Sequence, residues 1–206
     1  MTPSDESTST DPDHGARPGG HAAWRMVAAA ARQALDRERV RMLLDYWLSI
    51  GTDSRPPGRG DLNPASMVPL LSHIWLMDYE ADSRRLRYRL VGEEIRSRFG
   101  VPLVGRYLDE VVEPGGYPTV AQYFLDCPGL PAIALLAGRL YSERMKPGYG
   151  ERLLLPLFSA DGVAEGLIGT TICDEPVDNE TEATLGVGRR ITIFPLDGSD
   201  PTTEEA

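Results

Sequence analysis

Apolar positions along this chain repeat first with a helical period and then with the period of strands. Trp24, Val27, Ala31 and Leu35 fall three or four residues apart, and Val40, Leu43, Leu44 and Trp47 resume that spacing after the polar step Asp36–Arg39. Such spacing gathers side chains on one helix face. No Gly or Pro interrupts the run before Gly51. The pattern predicts an N-terminal helix over residues 21–51, or a helix pair broken or shifted in phase at the polar step. A loop follows, and Asn63-Pro64 reads as an N-cap with proline in the first turn, opening a short helix to about Leu71.

From His73 the period becomes two. His73–Glu80 and Arg85–Val91 read as strands joined by a turn at Asp82-Ser83. In the second strand Leu86, Tyr88 and Leu90 share one face, and Arg87 and Arg89 the other. That alternation fits an antiparallel sheet. Glu93–Phe99 reads as a short helix ended by Gly100, residues 101–116 as a mixed segment, and Tyr117–Asp126 as a helix. Three further strands are predicted at about 132–143, 151–158 and 164–173, the last two joined by a hairpin at Asp161-Gly162. Pro156 suggests an edge position or a bulge. The order is helix, two strands, short helices, three strands. It implies an α+β fold, because hairpin-linked strands run antiparallel.

Charge sharpens the domain boundaries. The net charge is −10, but residues 21–173 balance to zero. In the first 20 residues Asp5, Glu6, Asp11 and Asp13 face only Arg17, and after residue 173 nine acidic residues face Arg189 and Arg190. Residues 1–20 have almost no apolar content and read as a disordered acidic tail. Residues 174–206 read as an acidic C-terminal tail with a possible strand at 189–196, where Ile191 and Ile193 alternate with Thr192 and Phe194. That strand could join a sheet edge in cis or on a partner. A balanced body argues against nucleic-acid binding. No apolar run reaches the roughly 18–20 residues of a membrane span, and the polar N-terminus lacks the features of a signal peptide. Two widely separated cysteines, Cys127 and Cys173, fit a reducing compartment. The expectation is a cytoplasmic protein with neither a membrane nor a nucleic-acid partner.

Enzyme signatures are missing: there is no Gly-x-Ser-x-Gly elbow, no phosphate loop and no His-Glu-x-x-His. The expectation is a non-enzyme without a metal site. The cysteines read as small apolar residues.

Several short elements, in order and at similar spacing, resemble a proteobacterial stand-alone branch of the PAS family over residues about 40–173. They are Leu44-Asp-Tyr-Trp47, Asp61-Leu-Asn-Pro64, Leu70-Leu-Ser-His-Ile-Trp75, Tyr88-Arg-Leu-Val-Gly92, Leu103-Val-Gly-Arg106 and Leu153-Leu-Leu-Pro-Leu157. Members often carry Thr after the Tyr-x-Leu-x-Gly element, whereas Glu93 stands here. The resemblance implies a five-stranded antiparallel sheet with short helices over one face, enclosing a small cavity. It implies a bacterial signalling protein that senses a small molecule or mediates dimerisation.

A pocket between sheet and helices is apolar with a few polar anchors. The candidate ligand residues are Tyr88 and Leu90 on the strand, with Phe99, Arg106, Tyr107 and Tyr123 on the covering segments; the alternative is that the aromatic and apolar side chains fill a solid core. The cofactor is unknown. Haem is disfavoured because His73 stands at the strand entrance, whereas relatives supply the axial ligand from middle helices, and His21 lies beside the acidic tail. Flavin photochemistry is disfavoured because Asp126-Cys-Pro128 lacks the Asn-Cys-Arg-Phe context. The stripe Trp24, Val27, Ala31 and Leu35 is a candidate homodimer interface, the alternative being that its helix folds back on its own domain. A signalling protein partner would carry the output. The competing functional readings are a ligand-free interaction module and an enzyme with an unrecognised site.

Overall fold

The computed structural model describes residues 20–112, 117–140, 148–174 and 188–205. The expected disordered tail therefore lies outside the described residues, except for Gly20, which opens the first helix.

Two helices, α1 (Gly20–Gln33) and α2 (Glu38–Ile50), replace the single long run. The chain breaks between them and buries Leu35 in the connection. Trp24 meets Trp47 edge to face at 5.2 Å, a favoured aromatic geometry. Arg25 donates to the carbonyls of Leu48 and Gly51, so a residue of α1 satisfies the open C-terminus of α2. The short helix predicted from Pro64 forms as 3-10 turns over Pro64–Leu70, with a kink at Met67. Pro69 lies inside this segment, has no N–H to give and opposes regular helix. Asn63 does cap it, its side chain accepting from the Ala65 amide at 3.1 Å.

The sheet contains β1 (Ile74–Glu80), β2 (Arg85–Val91), β3 (Ala132–Arg139), β4 (Tyr149–Phe158), β5 (Ala164–Cys173), β6 (Arg190–Pro195) and β7 (Thr202–Glu205). Their order is β2-β1-β5-β4-β3-β6-β7, and every pairing is antiparallel. The sheet thus has seven strands, not five. The five expected strands form one continuous block, and the segment predicted at 189–196 adds β6 to the free edge of β3 in cis. β7 carries no apolar alternation; its sequence Thr-Thr-Glu-Glu joins β6 through backbone pairing.

Helices cover both faces of the sheet: the short central helices lie over one face, as expected, and the N-terminal helices over the other. On one side α1, α2 and the 3-10 turns pack on Ile133, Leu135, Leu153, Leu155, Leu157 and Phe194; this is the α2 face. On the other side lie α3 (Glu93–Phe99), α4 (Leu108–Val111) and α5 (Tyr117–Gly129). They pack on Trp75, Met77, Leu86, Ala134, Leu136, Leu154 and Leu167, the α5 face. Alternate residues of β3, β4 and β6 feed opposite cores, as strand geometry requires. Trp24, Ala31 and Leu35, expected at a subunit interface, are buried in the α2-face core of their own chain, and Val27 packs half-buried against it. The folded-back alternative is the one observed.

Pro156 lies in central β4, between β5 and β3. The β3–β4 ladder, however, ends at Ala134 and Leu154, so the proline lies beyond the paired part of β3 and removes no bond from that ladder. Its carbonyl accepts from the buried Trp47 indole at 3.0 Å, tying α2 to β4.

Candidate functional site

Arg152 is the centre of the α5 face. Strand alternation on β4 turns its side chain toward α5 and turns its neighbour Glu151 toward α2. Arg152 is only 7% exposed. Its Nε donates to the Thr171 hydroxyl on β5 at 3.1 Å and its Nη1 to the Tyr123 hydroxyl on α5 at 3.0 Å. The Trp75 indole donates to the same Thr171 oxygen at 3.3 Å. The Phe124 ring lies 5.7 Å from the guanidinium carbon and stacks, tilted, against Trp75 at 5.2 Å. A buried cation is costly to desolvate unless hydrogen bonds fix it. Here hydroxyls from a strand and a helix fix its direction while aromatic rings surround it. Gly169 makes room for this arrangement: a Cβ there would stand 2.1 Å from Cζ2 of Trp75.

Three of the six expected ligand residues come together on this face. Tyr88 and Tyr123 are buried in the same core, and Phe99 packs half-buried against it. The other three do not. Leu76 pairs with Leu90 but Met77 pairs with Tyr88, so β2 carries one extra residue at a bulge. The bulge flips Leu90 to the opposite side from Tyr88 and leaves it 40% exposed. Tyr107 pairs with Arg87 across the outer edge of β2, which sends its ring to that other side too. Its hydroxyl donates to Glu80 at 2.8 Å and Arg85 lies over its ring; the Glu80 carboxylate raises the phenol pKa. The Arg106 side chain is exposed, and its contribution is a carbonyl that accepts from the Tyr88 amide at 2.9 Å.

The other singled-out residues also find places. The His73 imidazole lies 3.0 Å from an Arg39 nitrogen; partial burial, then Arg39, lowers its pKa, favouring the neutral ring as acceptor. Cys127 is wholly buried, and burial pushes its thiol pKa well up; burial likewise raises that of Cys173. Among the described residues no group of three or more His, Cys, Asp or Glu side chains gathers as a metal site.

A cleft of about 80 Å³ opens between α5 and the β6–β7 hairpin, with Tyr123, Asp126, Ile191, Ile193 and Glu204 in its lining. Burial raises the pKa of Asp126 there. Tyr123 therefore lines this cleft and holds Arg152 as well, connecting the surface to the buried cluster.

Residues 35–172 match the family model described as PAS domain. The chain belongs to the PAS domain family. The matched region of this PAS domain runs from the α1–α2 connection to the end of β5, so α1 and the β6–β7 hairpin lie outside it. No curated protein matches the chain. Among solved structures, the PAS domain is similar to a sensory box sensor histidine kinase from Vibrio cholerae, with 16% identity over 53% of this chain and 85% of that one and a TM-score of 0.37. It is also similar to an RNA-binding light-oxygen-voltage receptor, with 15% identity over 74% of this chain and a TM-score of 0.36; the alignment covers 48% of that receptor.

Arg152, Thr171 and Trp75 were not among the expected site residues of this PAS domain. A signal was present: Glu151-Arg152 opens the otherwise apolar run Leu153–Phe158. A charged pair entering a strand buried on both faces must send one charge into each core.

Proposed function

We propose that this PAS domain is a bacterial cytoplasmic sensor that takes a small molecule on its α5 face, beside Arg152, and answers through contacts with a second copy or a signalling partner. The observation that supports this reading is the buried guanidinium. An apolar wall with a few fixed polar anchors is the common form of a small-molecule site. Arg152 is such an anchor, set in direction by Thr171 and Tyr123, with Tyr88, Phe99 and Phe124 supplying apolar surface in the same core. Anchoring a ligand on groups already ordered lowers the entropy cost of binding. We propose no catalytic step; the response is a change in shape and contacts.

Native mass spectrometry of the full chain, purified rapidly beside its Arg152→Met variant, tests this reading. A small-molecule mass on the wild type that disappears from the variant is expected. Bare protein in both preparations would favour a ligand-free interaction module.

A further inference from the structure

Two consecutive charged residues on central strand β4 are both buried, and they serve opposite faces of the sheet. Glu151 is 3% exposed and Arg152 7%. On the α2 face the Glu151 carboxylate accepts from the backbone amides of Asp36 at 2.8 Å and Arg37 at 2.9 Å. These amides belong to the α1–α2 connection, and Arg37 is the N-cap residue of α2, with no side-chain cap of its own. A carboxylate from a distant strand thus takes the N-cap amide, as the N3 glutamate of a capping box does within its own helix, and places negative charge at the helix start. On the α5 face Arg152 reaches Tyr123 of α5 and Thr171 of β5. One peptide unit therefore links the start of α2 to α5 through the sheet.

We propose that Glu151 is a positioning residue that passes the state of the Arg152 cluster to the α1–α2 connection. As a mechanism of sensing, the inference rests on the α5 face being the ligand site; the mechanical link itself needs no ligand. The reasoning is geometric. Arg152 and Glu151 share one stretch of β4 backbone, so a shift of the strand at Arg152 carries Glu151 with it, and the Glu151 carboxylate has both oxygens committed to amides of the connection. A displacement on one face then lengthens charge-assisted hydrogen bonds on the other. Leu35 is buried in this connection and α1 continues from it, so loosening there weakens the packing of α1 on β3 and β6.

Hydrogen exchange on the full chain without added ligand tests the link, read at the peptide that contains residues 34–38. Tyr123→Phe removes only the hydroxyl that holds Arg152 and keeps the ring. It is expected to raise exchange at residues 34–38 roughly tenfold, the factor that corresponds to about 1.4 kcal/mol, with little change in β1–β2. Glu151→Gln is expected to raise exchange at the same peptide directly, because one amide loses its acceptor. In the Glu151→Gln background Tyr123→Phe is expected to add nothing, since coupled sites are non-additive. Unchanged exchange at residues 34–38 in Tyr123→Phe, or effects that simply add in the double variant, would overturn the proposal. If the link holds while native mass spectrometry finds no ligand, the sensing reading fails and the link stands; a bound ligand without the coupling leaves the opposite result.

Discussion

At the scale of single residues, the α5 face was half legible from the sequence. Tyr88 and Tyr123 were legible because buried tyrosines stand out among apolar neighbours; both lie in the α5-face core, Tyr123 against Arg152 and Tyr88 farther off, opposite Met77 on the β1–β2 pair. Leu90 was misplaced because strict alternation assumes an unbroken ladder, and a one-residue bulge reverses every face beyond it. Tyr107 and Arg106 were misplaced because the segment carrying them pairs with the outer edge of β2, a tertiary contact that no local pattern encodes. The smallest residue of the site is as constrained as the largest. Gly169→Ala would set a methyl group 2.1 Å from Cζ2 of Trp75 and 2.6 Å from the Leu153 carbonyl. Backbone on one side and a packed indole on the other leave little room to give. The substitution is expected to destabilise the fold by about 1–3 kcal/mol, read as a lower urea midpoint with an unchanged slope; an unaltered midpoint would show that the indole yields freely.

At the scale of elements, the start of α2 is tied to the rest of the fold at several points. Glu151 holds its amides, the Arg37 side chain pairs with Asp174 at 2.5 and 2.8 Å, and Arg39 reaches His73. Two of these ties titrate. Hydrogen bonding to Arg37 lowers the Asp174 carboxyl pKa, and partial burial with Arg39 lowers the His73 imidazole pKa. Glu94 and Arg98 also face His73, the first favouring protonation and the second opposing it. A folded-state pKa below the unfolded value means that unfolding takes up protons, so stability is lost as the pH is lowered. For His73 the loss starts below an unfolded pKa of about 6.5, and for Asp174 below about 3.9. Urea midpoints measured from pH 7.5 to pH 5 are therefore expected to fall in the wild type and to flatten in His73→Gln, whose amide side chain can still accept from Arg39. Equal slopes in both proteins would remove His73 from the account. Sequence periodicity located α1, α2 and the five central strands, each of which has an apolar face. It missed β7, which has no apolar face and joins β6 through backbone pairing and a Thr192–Thr203 hydroxyl contact at 3.2 Å.

At the scale of the whole molecule, the chain is a seven-stranded antiparallel sheet with a helical layer on each side. No helix among the described residues is long and apolar enough to cross a membrane. The order of elements and the antiparallel pairing followed from the change of period at His73 and the hairpin signals after it. The second helical layer did not follow, because an amphipathic stripe such as Trp24-Val27-Ala31-Leu35 looks the same whether its own sheet or another chain covers it. The strand pattern carried a hint, since β4 is apolar at consecutive positions from Leu153 to Leu157, as a strand buried on both faces must be. Both layers are joined through Glu151 and Arg152, and the account stands on a ligand engaging the Arg152 side. Its most direct test is the thermal midpoint of the chain as first purified against the same chain unfolded, dialysed and refolded. A ligand present at 100 times its Kd adds about 2.7 kcal/mol, which for a chain of this size is roughly 5–10 °C. The account predicts a higher midpoint before stripping than after it in the wild type, and no such difference in Arg152→Met; identical midpoints in the wild type before and after stripping would contradict it.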